Sequence, residues 1–321
     1  AEAWLGLALR YFADSQCSAA VVEVGMGGRY DATNVIMPRV SVISTVHYDH
    51  MRVLGDTLEE IAYHKAGIIK PGVPAVIGQV PAAALPVITA EARRCEARTV
   101  QLGREFSYRA IEVSQRGGRF SYQGLGLALD DLHLGLLGQH QFANASAALA
   151  AVELFADASG IALDEAAIRE GLAHARFAGR LEVMQNGPCV VLDGAHNEEK
   201  INALIAAVPQ VFSYERLVLV MGMLETKAAD PITGALAGMA DAIVTTSPRV
   251  KGKPALPAGE LAHIARRAGV HEVWAEEEPL AALERALAIA GPRDLVVVTG
   301  SLYLIGMLRS HWHPTAQVIA Q

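Results

Sequence analysis

From Cys189 to Thr299 the sequence repeats one alternation: a short apolar, β-branched run, then a stretch with helical spacing, then the next run. The spacing predicts strands at 189–193, 216–222, 241–246, 271–274 and 294–299, separated by helices at 197–208, 230–239, 257–268 and 279–290. Runs without a polar face are buried on both sides, and strand–helix alternation brings each strand back parallel to the last. This half of the chain is therefore an α/β unit with a mostly parallel sheet.

The preceding half alternates less regularly. Strands are expected near 20–25, 40–46 and 74–77, with helices near 57–67 and 82–95. A β-rich stretch at 98–137 follows, broken by Gly117-Gly118 and Gly124, and helices at 141–156 and 164–173 close the half. At the start, Trp4, Leu5, Ala8, Leu9 and Phe12 keep a helical period. The chain of 321 residues is long enough for two cores, and the expected domains are 1–178 and 179–321.

Composition excludes several classes. The chain is 52% hydrophobic, yet no charge-free run reaches the roughly 18 residues of a membrane span, and its first segment is unlike a signal peptide. A net charge of −7 argues against nucleic acid as a partner. The basic group Arg249-Val-Lys251-Gly-Lys253 reads as a solvated loop with no assigned role. Three cysteines, Cys17, Cys95 and Cys189, form no metal spacing and suit a reducing cytoplasm.

Polar residues gather after the predicted strands. In Val21-Val22-Glu23-Val24-Gly25-Met26-Gly27-Gly28-Arg29-Tyr30-Asp31-Ala32-Thr33-Asn34, a carboxylate stands among valines before a glycine-rich turn. If buried, Glu23 requires a cation, a hydrogen-bond network or a metal; at a strand end it is simply solvated. The glycines match a dinucleotide-binding fingerprint poorly, because the third is misplaced and no helical period follows. The turn reads instead as a loop that holds polar side chains near a ligand.

The run 40–46 leads into His47-Tyr48-Asp49-His50, and Thr57 with Glu60 forms a capping box for the helix that carries Lys65. Glu23, His50 and Lys65 are expected at the carboxyl edge of a parallel sheet. A Glu oxygen and a His nitrogen suit a divalent cation that also touches phosphates. Taken alone, His50 reads equally as a helix cap and Lys65 as a solvated side chain.

Further along, Gln139-His140-Gln141 and Asn144 open an alanine-rich helix, and Arg180 stands between the two halves. Asp193-Gly-Ala-His196-Asn197 and Ser301 follow predicted strands at the crevice position of an open α/β sheet, where Asp193 can also be a plain helix cap.

Together these segments resemble folylpolyglutamate synthase and dihydrofolate synthase of the Mur ligase superfamily. The motifs are Glu23 to Asn34, Tyr48-Asp49-His50 with Leu54-Gly55-Asp56-Thr57, Ile61 to Ile68, Leu137 to Ala145, Phe177 to Glu182, Leu192 to Asn197, and Thr299 to Leu304. The resemblance implies a Mur-type central ATPase domain followed by a Rossmann-like ligase domain. It implies an ATP-dependent amide ligase that phosphorylates a folate or dihydropteroate carboxylate and joins it to L-glutamate. Mg²⁺ would be held by Glu23 and His50. Lys65 would carry a carbamate, although His64 stands where the family commonly has Glu. Asn144, Arg180 and Asp193 would bind ATP, and His196 and Ser301 would orient glutamate. The expected protein is a cytoplasmic monomer without nucleic-acid or membrane partners.

The family's amino-terminal phosphate loop, G-x-x-G-K-[ST], does not occur, and the chain opens at Ala1. It therefore reads as a family member lacking its first part and inactive as it stands. Two alternatives are a Mur ligase acting on a nucleotide-linked sugar and a non-catalytic binding protein.

Overall fold

The computed structural model describes residues 2–314. The chain forms two compact units. One comprises the residues through Ala110 with Phe120–Leu132 and Phe142–Glu170; the other comprises Ile111–Arg119, His133–Gln141 and the chain from Gly171 onward.

The first unit begins with α1 (Glu2–Asp14). The helical period is real, but none of its residues is buried, and Trp4 is 78% exposed. Strand β1 (Ser41–Ile43) precedes α2 (Met51–Leu54) and α3 (Leu58–Ala66), then come β2 (Ala75–Ile77), α4 (Leu85–Arg94) and β3 (Thr99–Gln101). These strands form a parallel sheet in the order β1-β2-β3. Ile43, Ile61, Ile77 and Ile88 fill the core between that sheet and its helices.

The expected strand at 20–25 is absent. Those residues are irregular, with Val21 and Glu23 exposed, and among the described residues β1 pairs with β2 alone. A segment with no neighbouring strand leaves its backbone and side chains in water, so the Glu23 carboxylate is solvated and needs no compensating cation for burial.

Strands β4 (Ser107–Ser114), β5 (Gly117–Gln123) and β6 (Ala128–Leu134) form a separate sheet and lead to α5 (His140–Ser159) and α6 (Glu165–His174). Phe120 stacks on Phe142 of α5, with centroids 5.1 Å apart. Glu153 of α5 is a buried carboxylate that receives Tyr122 Oη (2.7 Å) and the N–H groups of Leu125, Gly126 and Leu127. It caps the β5–β6 turn.

The alternation predicted for the second unit is present. Its elements are β7 (Glu182–Gln185), β8 (Cys189–Leu192), α7 (Glu198–Val211), β9 (Leu217–Met221), α8 (Ala229–Ala237), β10 (Ala242–Thr245), α9 (Ala258–Arg267), β11 (Glu272–Ala275), α10 (Pro279–Ile289), β12 (Leu295–Thr299) and α11 (Leu302–Arg309). The six-stranded sheet has the order β11-β10-β9-β12-β8-β7, parallel except for β7. Alternate strand residues feed two cores. Val191, Leu219, Ile243 and Val297 belong to one, and Val190, Val218, Val244 and Val296 to the other. Burial on both faces is why the strands read as unbroken apolar runs.

Candidate active site

In the second unit β8 and β12 are adjacent, so the loops at their carboxyl ends lie side by side. Asp193 leaves β8 with only 8% exposure. One carboxylate oxygen accepts the N–H of Ala195 and the other that of Leu181, each at 2.9 Å. Leu181 itself is buried in the left-handed region (φ 44°), a conformation that costs a non-glycine residue energy and here aims its N–H at Asp193. Burial pushes the Asp193 carboxyl above its ordinary value. The two N–H donors, Arg180 and Lys200 oppose that push without cancelling it.

His196 lies half-buried beyond the Gly194-Ala195 turn, with Nδ1 2.8 Å from the Gly194 carbonyl. A carbonyl only accepts, so Nδ1 carries the proton, and in the neutral ring Nε2 is the acceptor nitrogen. Asn197 caps α7 by accepting the Lys200 N–H at 3.0 Å. The Ala195 carbonyl accepts the Gly300 N–H at 3.0 Å and the Thr299 hydroxyl at 3.3 Å, which ties the β8 loop to the β12 loop. Ser301 follows, buried, capping α11 by accepting the Tyr303 N–H at 3.2 Å. Arg180 lies half-buried, its guanidinium carbon 5.7 Å from the Phe177 ring centre. Asp193, His196, Ser301 and Arg180 thus belong to one connected set of loops.

That set also holds a histidine that the sequence reads only as part of a helix start. His140, at the start of α5, is exposed, yet desolvation by the groups crowding its ring and then Arg180 hold its imidazole below the ordinary value, with Glu199 opposing. It lies 3.1 Å from the Gln141 amide nitrogen. The only sequence sign of this packing is Gly138, whose φ of 98° turns the chain where a side chain would strike the His140 ring.

In the first unit the glycine-rich loop is seated on α3. A Cβ on Gly28 would come within 2.8 Å of the His64 carbonyl, and Arg29 donates its N–H to that oxygen at 2.7 Å. The Arg29 guanidinium lies 4.0 Å from the Tyr63 ring centre and pairs with Glu91 at 3.0 Å. Asn34 donates to the Arg29 and Gly67 carbonyls at 2.9 and 3.1 Å. Asp31 receives the Thr33 hydroxyl at 2.6 Å and the Met26 N–H at 2.9 Å. Burial works to raise its carboxyl, but these bonds and those from the Thr33 and Gly25 backbone outweigh burial and hold it low. Much of this motif therefore builds the loop itself.

The capping box of Thr57 and Glu60 is formed as expected. His50 is exposed, in the left-handed region (φ 53°) ahead of α2, with Nε2 3.9 Å from Asp49. Lys65 is half-buried in the last turn of α3, and Asn144 is exposed in the second turn of α5.

The description "Mur ligase middle domain" matches residues 3–152, and "Mur ligase, glutamate ligase domain" matches 179–302. The folylpolyglutamate synthase of Lacticaseibacillus casei is 37% identical over 306 residues, covering 93% of this chain and 68% of that protein. The dihydrofolate synthase/folylpolyglutamate synthase of Mycobacterium tuberculosis is 36% identical, covering 96% and 67%. A crystal structure of the Mycobacterium tuberculosis folylpolyglutamate synthase complexed with ADP and AMPPCP superposes with a TM-score of 0.85 at 37% identity, covering 94% of this chain and 70% of that one. The chain belongs to the folylpolyglutamate synthase and dihydrofolate synthase family of Mur ligases.

A member of this family is a ligase, and the chemistry of the side chains suits one. The Asp193–His196 turn lies within the glutamate ligase domain and Glu23, His50 and Lys65 within the middle domain. Among the described residues no three His, Cys, Asp or Glu side chains gather as a metal cage. Mg²⁺ takes one or two protein ligands and fills its shell with phosphate oxygens and water, and the solvent-facing Glu23 and His50 fit that open kind of site. Among the described residues no helix is long and apolar enough to cross a membrane.

Proposed function

We propose that this protein uses ATP to join the amino group of L-glutamate to a carboxylate of dihydropteroate or a glutamyl folate. The carboxylate attacks the γ-phosphorus, ADP leaves, and an acyl phosphate forms. The glutamate amine then attacks the acyl carbon, loses a proton and expels phosphate. Activation is required because a carboxylate's own oxide is a poor leaving group, whereas phosphate is a good one.

The loop set around Asp193 and His196 carries this reading, within a chain whose relatives are named for the activity. The buried Asp193 spends one lone pair of each oxygen on a backbone N–H and keeps others for ribose hydroxyls. Arg180 would follow phosphate charge, and the Asn144 amide would pair with the base. His196, its Nδ1 anchored on Gly194, offers Nε2 to a hydrogen of the glutamate amine, and the Ser301 hydroxyl donates to a carboxylate.

Glu23 and His50 would hold Mg²⁺, which stabilises charge on the transferring phosphoryl group when bound. Lys65 would act as a carbamate at its edge. The three unpaired cysteines fit the reducing cytoplasm.

Labelled glutamate, ATP and Mg²⁺ supplied with dihydropteroate or tetrahydrofolate test the reading, on this chain joined behind a relative's phosphate-loop segment. The expected product gains one glutamyl unit for each ADP formed. Coupling to a nucleotide-sugar acceptor, with none to either pterin, would overturn it.

A further inference from the structure

The basic loop after β10 does not hang free. Leu224 and Ala255 form an antiparallel bridge, Glu225 donates its N–H to the Pro254 carbonyl at 3.1 Å, and Leu256 donates to Met223 at 3.0 Å. A second bridge, Val250 to Lys253, closes a tight turn at Gly252 (φ 74°). Glycines let the neighbouring loops close in. A Cβ on Gly222 would lie 2.5 Å from the Thr246 carbonyl, and one on Gly300 would lie 2.8 Å from the Gly222 carbonyl. The loop is thereby fixed against the turn that carries Ser301. Its Lys253 ammonium donates to the Tyr303 phenol oxygen and lies 4.9 Å from that ring's centre.

We propose that Lys253 and Tyr303 form the carboxylate-recognising pair that makes the protein choose a glutamyl unit; the proposal rests on the ligase reading above. An ammonium has three donors, and Tyr303 takes one of them. Because the phenol oxygen accepts from Lys253, its own O–H is left to donate. Two adjacent donors, one cationic, match the two oxygens of a carboxylate, and the cation makes the bond charge-assisted. Both side chains are exposed, and the Tyr303 N–H bond to Ser301 puts the pair on the connected set of loops that includes His196. Glutamate brings two carboxylates, and a cation beside a neutral donor binds one of them more strongly than a neutral donor alone. The same chemistry would hold the glutamyl tail of the acceptor.

Steady-state kinetics of wild type, Lys253→Met, Lys253→Arg and Tyr303→Phe separate these cases, with glutamate varied against monoglutamyl and triglutamyl folates. Lys253→Met keeps the stem over the ring and removes the charge. It should raise the glutamate KM by about tenfold or more, leave the ATP KM unchanged and narrow the preference for glutamate over glutamine. Lys253→Arg should restore most of the loss, and Tyr303→Phe should show a smaller rise. An unchanged glutamate KM with weakened use of triglutamyl folate alone would assign the carboxylate to the acceptor tail. If Lys253→Met alters neither substrate's KM nor the glutamine discrimination, the proposal is overturned while the ligase reading stands. A wild-type protein that couples no glutamate to either folate even when preceded by a relative's phosphate-loop segment overturns both.

Discussion

At the residue scale, desolvation by crowding neighbours and then Arg180 hold the exposed His140 imidazole below its ordinary 6.5, against Glu199. The unfolded chain therefore takes up a proton near that pH which the folded chain refuses, and stability falls as pH drops below about 6.5 until the folded value is reached. The Asp31 and Glu91 carboxyls, ordinarily 3.8 and 4.5, are held lower by their hydrogen bonds; the stability they contribute is lost only as pH falls past those values. The Asp193 carboxyl, held high, works in the opposite sense, and His140 is exposed to solvent, so between about pH 5 and 6.5 the His140 contribution is small and is read as the difference between wild type and a variant lacking the imidazole. Urea midpoints should lose more on going from about pH 6.5 to 5 for wild type than for His140→Asn; equal slopes would assign the proton to another group. This residue was hard to foresee because its environment comes from Arg180 and Glu199, far away in sequence. Asp193, His196 and Ser301 were legible because an apolar run followed by polar residues already marks a strand's carboxyl end.

Elements were read well wherever an apolar run carried its own punctuation. Thr57 and Glu60 announced α3, and the strands of the larger sheet were found within one or two residues of their bounds. β7 was missed because a short half-buried strand shows neither an apolar run nor a strict alternation. The segment 20–25 failed for the opposite reason: its valines favour a strand, but a strand also needs a partner. The glycine-rich loop and α3 form a rigid pair, and this can be tested. A Cβ on Gly67 would lie 2.5 Å from Arg29 Cα, so Gly67→Ala must push the loop off the helix and loosen the Arg29–Glu91 pair, at about 2 kcal/mol or more. Gly72 has φ 70° and open space around it, so Gly72→Ala meets only backbone strain of about 1 kcal/mol. Denaturant titration should rank Gly67→Ala as the more destabilising; the reverse order would show that the loop yields freely.

At the scale of the whole molecule, the groups assigned to catalysis divide between the two family domains. Glu23, His50, Lys65 and Asn144 lie in the middle domain, and Asp193, His196 and Ser301 in the glutamate ligase domain. If the middle domain handles metal and phosphate while the other handles the amino acid, substitutions should split along the same line. Glu23→Gln removes a charge from an exposed, irregular segment, so the melting temperature should hold. If the lost carboxylate is a metal ligand, its turnover should nevertheless fall by about 100-fold and respond weakly to added Mg²⁺. His196→Ala removes the acceptor Nε2 and leaves the Asp193 bonds to Leu181 and Ala195 in place. It should raise the glutamate KM or lower turnover at saturating ATP and folate, with the ATP KM unchanged. The decisive result is the crossed pattern. A Glu23→Gln enzyme with wild-type Mg²⁺ dependence, or a His196→Ala enzyme impaired equally toward ATP and glutamate, would show that this division of labour is wrong even if the ligase activity itself is confirmed.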